Sequence, residues 1–86
     1  MRAIVVKEHG MTPAQCRAAR AWLKLKQDDL AEAAGVSNST VRDYEAGRRT
    51  PIGNNLAAMR KALEGKGIAF DTNSISGPPV DGPMGK

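Results

Sequence analysis

The sequence has few aromatic residues, a single cysteine and no long apolar run. Trp22, Tyr44 and Phe70 are too few for a typical β-sandwich, whereas the abundant Ala, Leu, Lys, Arg and Gln favour helices. Cys16 allows neither a disulfide within the chain nor a cysteine-based zinc site. The aliphatic run at residues 4–6 is far shorter than a signal-peptide core or the roughly 18 residues that a membrane span needs. We therefore expect a helical, cytoplasmic domain.

The charge of the chain is mildly basic. Its 86 residues carry 13 Lys and Arg against 9 Asp and Glu, which gives a net charge of +4 at pH 7. A chain of this length forms one compact domain and not two. The charge suits a polyanionic partner but does not identify one, because many small soluble domains are equally basic.

The segment that follows Gly10 carries a helix start signal. Thr12 is a good N-cap, Pro13 fits the first helical position, and Gln15 lies three residues after the cap. The pattern predicts a first helix that runs to about Leu25. Its apolar face comprises Cys16, Ala19, Trp22 and Leu23.

Two short helices separated by a glycine-centred turn come next. The first should span residues 27–34, with Gly35 as a left-handed cap. The second should run from Asn38, with Ser37 as its N-cap, to about Ala46. Val41 and Tyr44 fall on its inner side. Its outer side is polar and free to contact a partner, and it comprises Asn38, Ser39, Arg42, Asp43 and Ala46.

The remainder of the chain predicts one more helix and a tail. A helix that starts near Pro51 should turn its apolar side inward, and Gly65 ends it. The apolar runs at residues 3–6 and 68–70 are compatible with short strands that pair with each other, within the chain or across a dimer. We thus expect an arm or strand at 1–10, a domain at 11–70 and a flexible Gly- and Pro-rich tail at 71–86.

A helix, a tight turn and a second helix with a polar face are what a helix-turn-helix requires. The stretch QDDLAEAAGVS at residues 27–37, followed by Val41, Tyr44, Glu45 and Gly47, resembles the phage repressor and Cro type of helix-turn-helix, also called the XRE family. The resemblance extends from Thr12 to about Phe70.

This resemblance implies an all-α bundle of about five helices that binds double-stranded DNA. Gln27 is then expected to contact a phosphate. The reading helix would place four residues on base edges, namely Asn38, Ser39, Arg42 and Asp43. The loop after it offers Arg48 and Arg49 to phosphates, in keeping with their charge.

Three positions need a separate interpretation. Arg20 and Glu45 lie where related domains form a partly buried ion pair, so we assign both to the fold. Lys26 stands where the family favours Ser or Thr as an N-cap, and its ammonium group is instead placed near a phosphate. For Asp43 two roles remain open, because a carboxylate on DNA either accepts from a cytosine amino group or orients the neighbouring Arg42.

The leading hypothesis is a regulator, a repressor rather than an activator, that binds a palindromic operator as a homodimer and is nucleoid-associated when bound. Candidate dimer surfaces are the last helix, with Leu56, Met59 and Leu63, and the terminal strands. The alternative is an antitoxin or adaptor that docks a protein partner through its tail, whose apolar anchors are Ile75, Val80 and Met84.

Other functional classes are disfavoured. An A-form RNA groove is too deep and narrow for a reading helix. We expect no enzyme, cofactor or metal site, because the sequence shows no nucleophile arrangement and His9 has no second ligand.

Overall fold

The computed structural model describes residues 10–72 and 74–79, and these residues form four helices and a two-stranded sheet. The elements in chain order are α1 (Pro13–Leu23), α2 (Gln27–Ala34), α3 (Asn38–Glu45), α4 (Gly53–Glu64), β1 (Ala69–Phe70) and β2 (Ile75–Ser76). No helix in this part of the chain is long and apolar enough to cross a membrane. The predicted arm or strand at residues 1–9, including His9, lies outside the described residues.

The number of helices differs from the prediction, because residues 10–72 and 74–79 hold four where about five were expected. After α4 the chain passes Gly65 and then Gly67, whose φ of 103° is open to glycine but not to most side chains. Ile68 then enters the core, with 3% of its surface exposed. The next residues form β1, in the apolar run at 68–70 that was compatible with a strand, and no fifth helix follows among residues 69–72 and 74–79.

The start signal of α1 forms as predicted. The Thr12 side chain accepts from the Gln15 backbone N–H at 3.2 Å, and Gln15 Oε1 accepts from the Thr12 N–H at 2.9 Å. The helix ends at Leu23, two residues earlier than predicted, because Lys24 takes a left-handed conformation with a φ of 59°. This capping box fixes where α1 begins.

The core lies between the helices and contains the inner residues that the periodicity indicated. Val41 is fully buried in α3, and burial of such an aliphatic side chain contributes about 1.5–3 kcal/mol. The Tyr44 hydroxyl is also buried and donates to the Met11 carbonyl at 3.0 Å, and this burial raises its pKa. The other large, fully buried side chains are Leu30, Met59, Leu63 and Cys16.

The strands differ from the prediction in their pairing. Phe70 lies opposite Ile75 and Ala69 opposite Ser76 in an antiparallel hairpin, so β1 pairs with residues that were expected to belong to a flexible tail. Ile75 also packs against the core. Residues 80–86 of the predicted tail lie outside the described residues.

Two side chains of α1 hold this hairpin in place. The buried Gln15 donates from Nε2 to the carbonyls of Asp71 at 2.5 Å and Ser74 at 2.9 Å. Trp22 donates from Nε1 to the Pro78 carbonyl at 2.8 Å. These three hydrogen bonds attach a Gly- and Pro-rich segment to α1.

Candidate nucleic-acid interface

The turn between α2 and α3 sets the angle of the second helix. Gly35 takes a left-handed conformation with a φ of 72°, and its N–H donates to the Glu32 carbonyl at 3.2 Å. The Val36 N–H donates to the Ala31 carbonyl at 3.0 Å. Ser37 then caps α3, since its Oγ accepts from the Thr40 N–H at 3.1 Å. The sequence around residue 35 therefore ends one helix and starts the next within three residues.

The outer side of α3 presents the four predicted base-contacting residues, which we call the reading face: Asn38, Ser39, Arg42 and Asp43. Ser39 and Arg42 are exposed, while Asn38 and Asp43 are half-buried. Arg42 donates from Nη1 to Asn38 Oδ1 at 2.6 Å, one helical turn away. Two of the predicted contacts are thus joined to each other by a hydrogen bond.

Asp43 is paired with an arginine of the loop that follows α3. Asp43 Oδ1 lies 2.9 Å from Nη1 of Arg48, and the Asp43 carbonyl accepts from the Arg48 N–H at 2.9 Å. Arg42 contacts Asn38 and not Asp43, because adjacent residues on a helix point in different directions whereas residues one turn apart lie on the same side. Both roles considered for Asp43 stay predictions.

The loop after α3 carries the two predicted phosphate contacts. Arg48 and Arg49 are both exposed. Arg49 lines an open hollow of about 390 Å³ beside the reading face, together with Ser39, Asp43 and Ile52. The cationic loop and the polar side of α3 thus border one surface.

The start of α2 provides the other two predicted phosphate contacts. Gln27 is half-buried and donates from Nε2 to Glu45 Oε1 at 3.1 Å. The exposed Lys26 stands at the N-cap, and its N–H donates to Asp29 Oδ2 at 2.8 Å. Asp29 therefore satisfies the N–H of the N-cap residue, although Lys26 has no side-chain acceptor for the first turn of α2.

Glu45 is the polar centre of the domain, and 3% of its side chain is exposed. Arg20 meets it with two parallel hydrogen bonds of 2.7 Å each, from Nε to Oε2 and from Nη2 to Oε1. The buried Cys16 thiol donates to Oε2 at 3.2 Å. These contacts join α1, α2 and α3 at one carboxylate.

The charges around Glu45 shift the pKa values of the whole group. Burial opposes the charged carboxylate, but hydrogen bonds from Arg20, Gln27 and Cys16 outweigh it and hold the pKa of Glu45 below its ordinary value. The hydrogen bond to Glu45 raises the pKa of Arg20. Burial, followed by the hydrogen bond to Glu45, raises the pKa of Cys16, so its thiol stays protonated and donates.

Two contributors to this region were missed by sequence reasoning. Arg17 is exposed, and its guanidinium donates to the Glu45 carbonyl at 2.5 Å, which satisfies the end of α3. Asp28 accepts a hydrogen bond from Asn38. The spacing of three residues between Arg17 and Arg20 is the signal that could have revealed the first.

The geometry defines a class of fold. Two helices joined by a glycine turn, with the inner side of the second packed and its outer side polar, form a helix-turn-helix of the kind whose second helix fits the major groove of DNA.

The comparisons with known proteins agree with this class. The family model described as Helix-turn-helix matches residues 17–68, and the chain belongs to this family, of the XRE type. It is 42% identical over 48 residues to Repressor protein C2 of Salmonella phage P22, an alignment that covers 56% of this chain and 22% of that protein. The chain thus spans about a fifth of that repressor's length.

A solved structure is similar over a larger share of its length. It is the solution structure, by nuclear magnetic resonance, of the DNA-binding domain of the P22 C2 repressor (1–76). Its sequence is 34% identical, the TM-score is 0.55, and the match covers 71% of this chain and 76% of that one.

Proposed function

We propose that this chain is a sequence-specific DNA-binding transcriptional regulator, acting as a repressor. The observation that carries the proposal is the exposed polar side of α3 beside a cationic loop, in a chain that is similar to the DNA-binding domain of a phage repressor. In this proposal the reading face contacts base edges, and Gln27, Lys26, Arg48 and Arg49 contact phosphates.

The regulator is further proposed to act as a homodimer on a palindromic operator, because one module this small contacts only a few base pairs. Of the surfaces considered from sequence, Leu56, Met59 and Leu63 are buried in the core of the monomer and one edge of β1 is paired with β2, while residues 3–6 lie outside the described residues. The exposed large apolar side chain among the described residues is Ile52, with 69% of its surface exposed. We place the dimer contact around Ile52, at the N-cap of α4.

Selection of bound duplexes from a random pool tests this function. We expect enrichment of a two-fold symmetric site whose half-sites lie about 34–36 Å apart, one helical turn of DNA. Failure to enrich any sequence would contradict specific binding. A single, unrepeated half-site would contradict the homodimer and leave the DNA-binding function in place.

The structure gives less support than the sequence to the alternative, in which the chain docks a protein partner through its tail. Ile75 was one of three apolar anchors proposed for a partner, but it is half-buried and packs against the core as part of β2. We therefore give DNA binding precedence over docking through the tail.

Replacing Arg49 by alanine is expected to weaken binding to every duplex by about fivefold at 0.15 M salt, since one phosphate contact contributes about 0.9 to the slope of log K against log salt. Titrations at several salt concentrations check the result and should show a slope reduced by about one. Lys61→Ala is the matched control, because Lys61 is an exposed cation on α4. If Arg49→Ala and Lys61→Ala lost equal affinity for DNA, Arg49 would act through its charge alone and not through a phosphate contact.

A further inference from the structure

Asp28 connects α2 to the reading face. It is the second residue of α2 and is exposed, and its Oδ1 accepts a hydrogen bond from Nδ2 of Asn38. Asn38 in turn accepts from Arg42 through Oδ1, at 2.6 Å. The three side chains form a continuous series in which an acid on the first helix of the motif reaches the arginine on the second.

The chemistry of the two end groups allows one orientation of the amide between them. A carboxylate only accepts hydrogen bonds and a guanidinium group only donates them. If the Asn38 amide were reversed, its oxygen would face Asp28 and its NH₂ group would face Arg42, and both contacts would be lost. Asp28 therefore fixes which edge of Asn38 is donor and which is acceptor, and it thereby fixes the place where Arg42 is held.

We propose that Asp28 is a positioning residue that sets base specificity through Asn38 and Arg42 without itself contacting DNA. The inference rests on the proposed function, since it concerns how the reading face discriminates between sequences. An amide and a guanidinium group held in one arrangement lose less conformational freedom on binding, so the correct bases gain affinity relative to others.

The charge of Asp28 makes the proposal separable from simple electrostatics. An acid beside a DNA-binding surface repels phosphates, so its removal on charge grounds alone would strengthen binding to all duplexes. Positioning predicts a different result, namely a smaller preference for the correct sequence. The two effects are read from different quantities, the overall affinity and the ratio of affinities.

The experiment compares affinities of the full chain for the duplex obtained by selection and for a scrambled duplex of the same length. In Asp28→Ala we expect the ratio to fall about five- to tenfold, within the range of one good base contact. In Asp28→Asn the ratio should stay within about twofold of the original protein, because the amide oxygen still accepts from Asn38. Glu32→Ala removes an equal charge from the same helix and should leave the ratio unchanged, since Glu32 lies in a separate hollow beside Leu25 and Lys66.

A double-mutant cycle shows whether Asp28 acts through Asn38. In an Asn38→Ala background, Asp28→Ala should have no further effect on the ratio, because the amide that links Asp28 to Arg42 is gone. Thermal unfolding verifies that each variant is folded, and Asp28→Ser, whose hydroxyl is too short to replace the carboxylate, serves if the alanine variant does not fold.

The outcomes separate the two proposals. An unchanged ratio in Asp28→Ala, or an equal loss with and without Asn38, overturns the positioning role while specific binding stands. A protein that binds the selected and scrambled duplexes equally before any substitution overturns the proposed function, and the positioning role with it.

Discussion

Replacing Arg20 by alanine is expected to lower the free energy of unfolding by about 3–5 kcal/mol, because it leaves a buried carboxylate without its cation. Glu45 lies almost wholly inside the domain, and the two 2.7 Å bonds from Arg20 are its only ion pair among the described residues. Small domains have about 5–15 kcal/mol of stability in all, so the variant loses a large part of it. Urea unfolding followed by circular dichroism measures the change.

The controls for this prediction use the same chain. Lys61→Ala removes an exposed positive charge of α4 and should change stability by less than about 0.5 kcal/mol. Adding Glu45→Gln to Arg20→Ala should recover part of the loss, since a neutral amide no longer needs a cation. If Arg20→Ala kept its stability but lost its affinity for DNA, Arg20 would be a DNA contact and not part of the fold.

The same pair has a predictable dependence on pH. The folded-state pKa of Glu45 lies below its ordinary value of 4.5, so the ion pair contributes its full stability above that pH and loses it as the pH falls through the lowered pKa. In Arg20→Ala burial remains without the main opposing contact, so the pKa of Glu45 rises. The difference in stability between the two proteins should therefore be largest at neutral pH and shrink as the pH falls from the raised pKa of Glu45 in the variant through the lowered pKa in the original protein.

Replacing Arg42 by alanine is expected to remove about 1–3 kcal/mol of discrimination at one position in each half-site. A guanidinium group recognises guanine through two parallel hydrogen bonds, and Arg42 is exposed on α3 with one of its nitrogens anchored to Asn38. Selection from a random pool with the variant should yield the same site, with the base preference lost at one position in each half. Asn38→Ala should lower the base preference at the position that Asn38 contacts and also at the position that Arg42 contacts.

Arg49→Ala provides the comparison for this result, because a phosphate contact carries no base information. Its selected site should match that of the original protein, with lower affinity throughout. If Arg42→Ala lost affinity for all duplexes and kept the base preference at every position of the site, Arg42 would contact the DNA backbone.

The local parts of the fold were predictable because their causes are local. An N-cap residue, a terminal glycine or a periodic spacing of apolar residues determines the helix in which it lies or which it borders. The bounds of α2 accordingly agree with the prediction at both ends. The residues of the reading face were also identifiable, since a residue's place on a helix follows from its number alone.

The contacts between distant segments were not predictable in this way. Gln15 and Trp22 bind carbonyls 56 to 59 residues further along the chain, and no local pattern shows that a Gly- and Pro-rich segment folds back on α1. The pairing of Asp43 with Arg48 depends on how tightly the loop returns, which is a property of the backbone path and not of composition. Asp28 was missed for the same reason, because its partner lies ten residues away across a turn.

The bond between the Trp22 indole and the Pro78 carbonyl has a practical consequence for spectroscopy. Trp22 is the only tryptophan in the sequence, so the emission of the protein reports the environment of that one indole ring. Detachment of the hairpin would expose the ring to water and shift its emission to longer wavelength, while the helices kept their far-ultraviolet dichroism. A single unlabelled sample therefore distinguishes opening of the hairpin from unfolding of the domain.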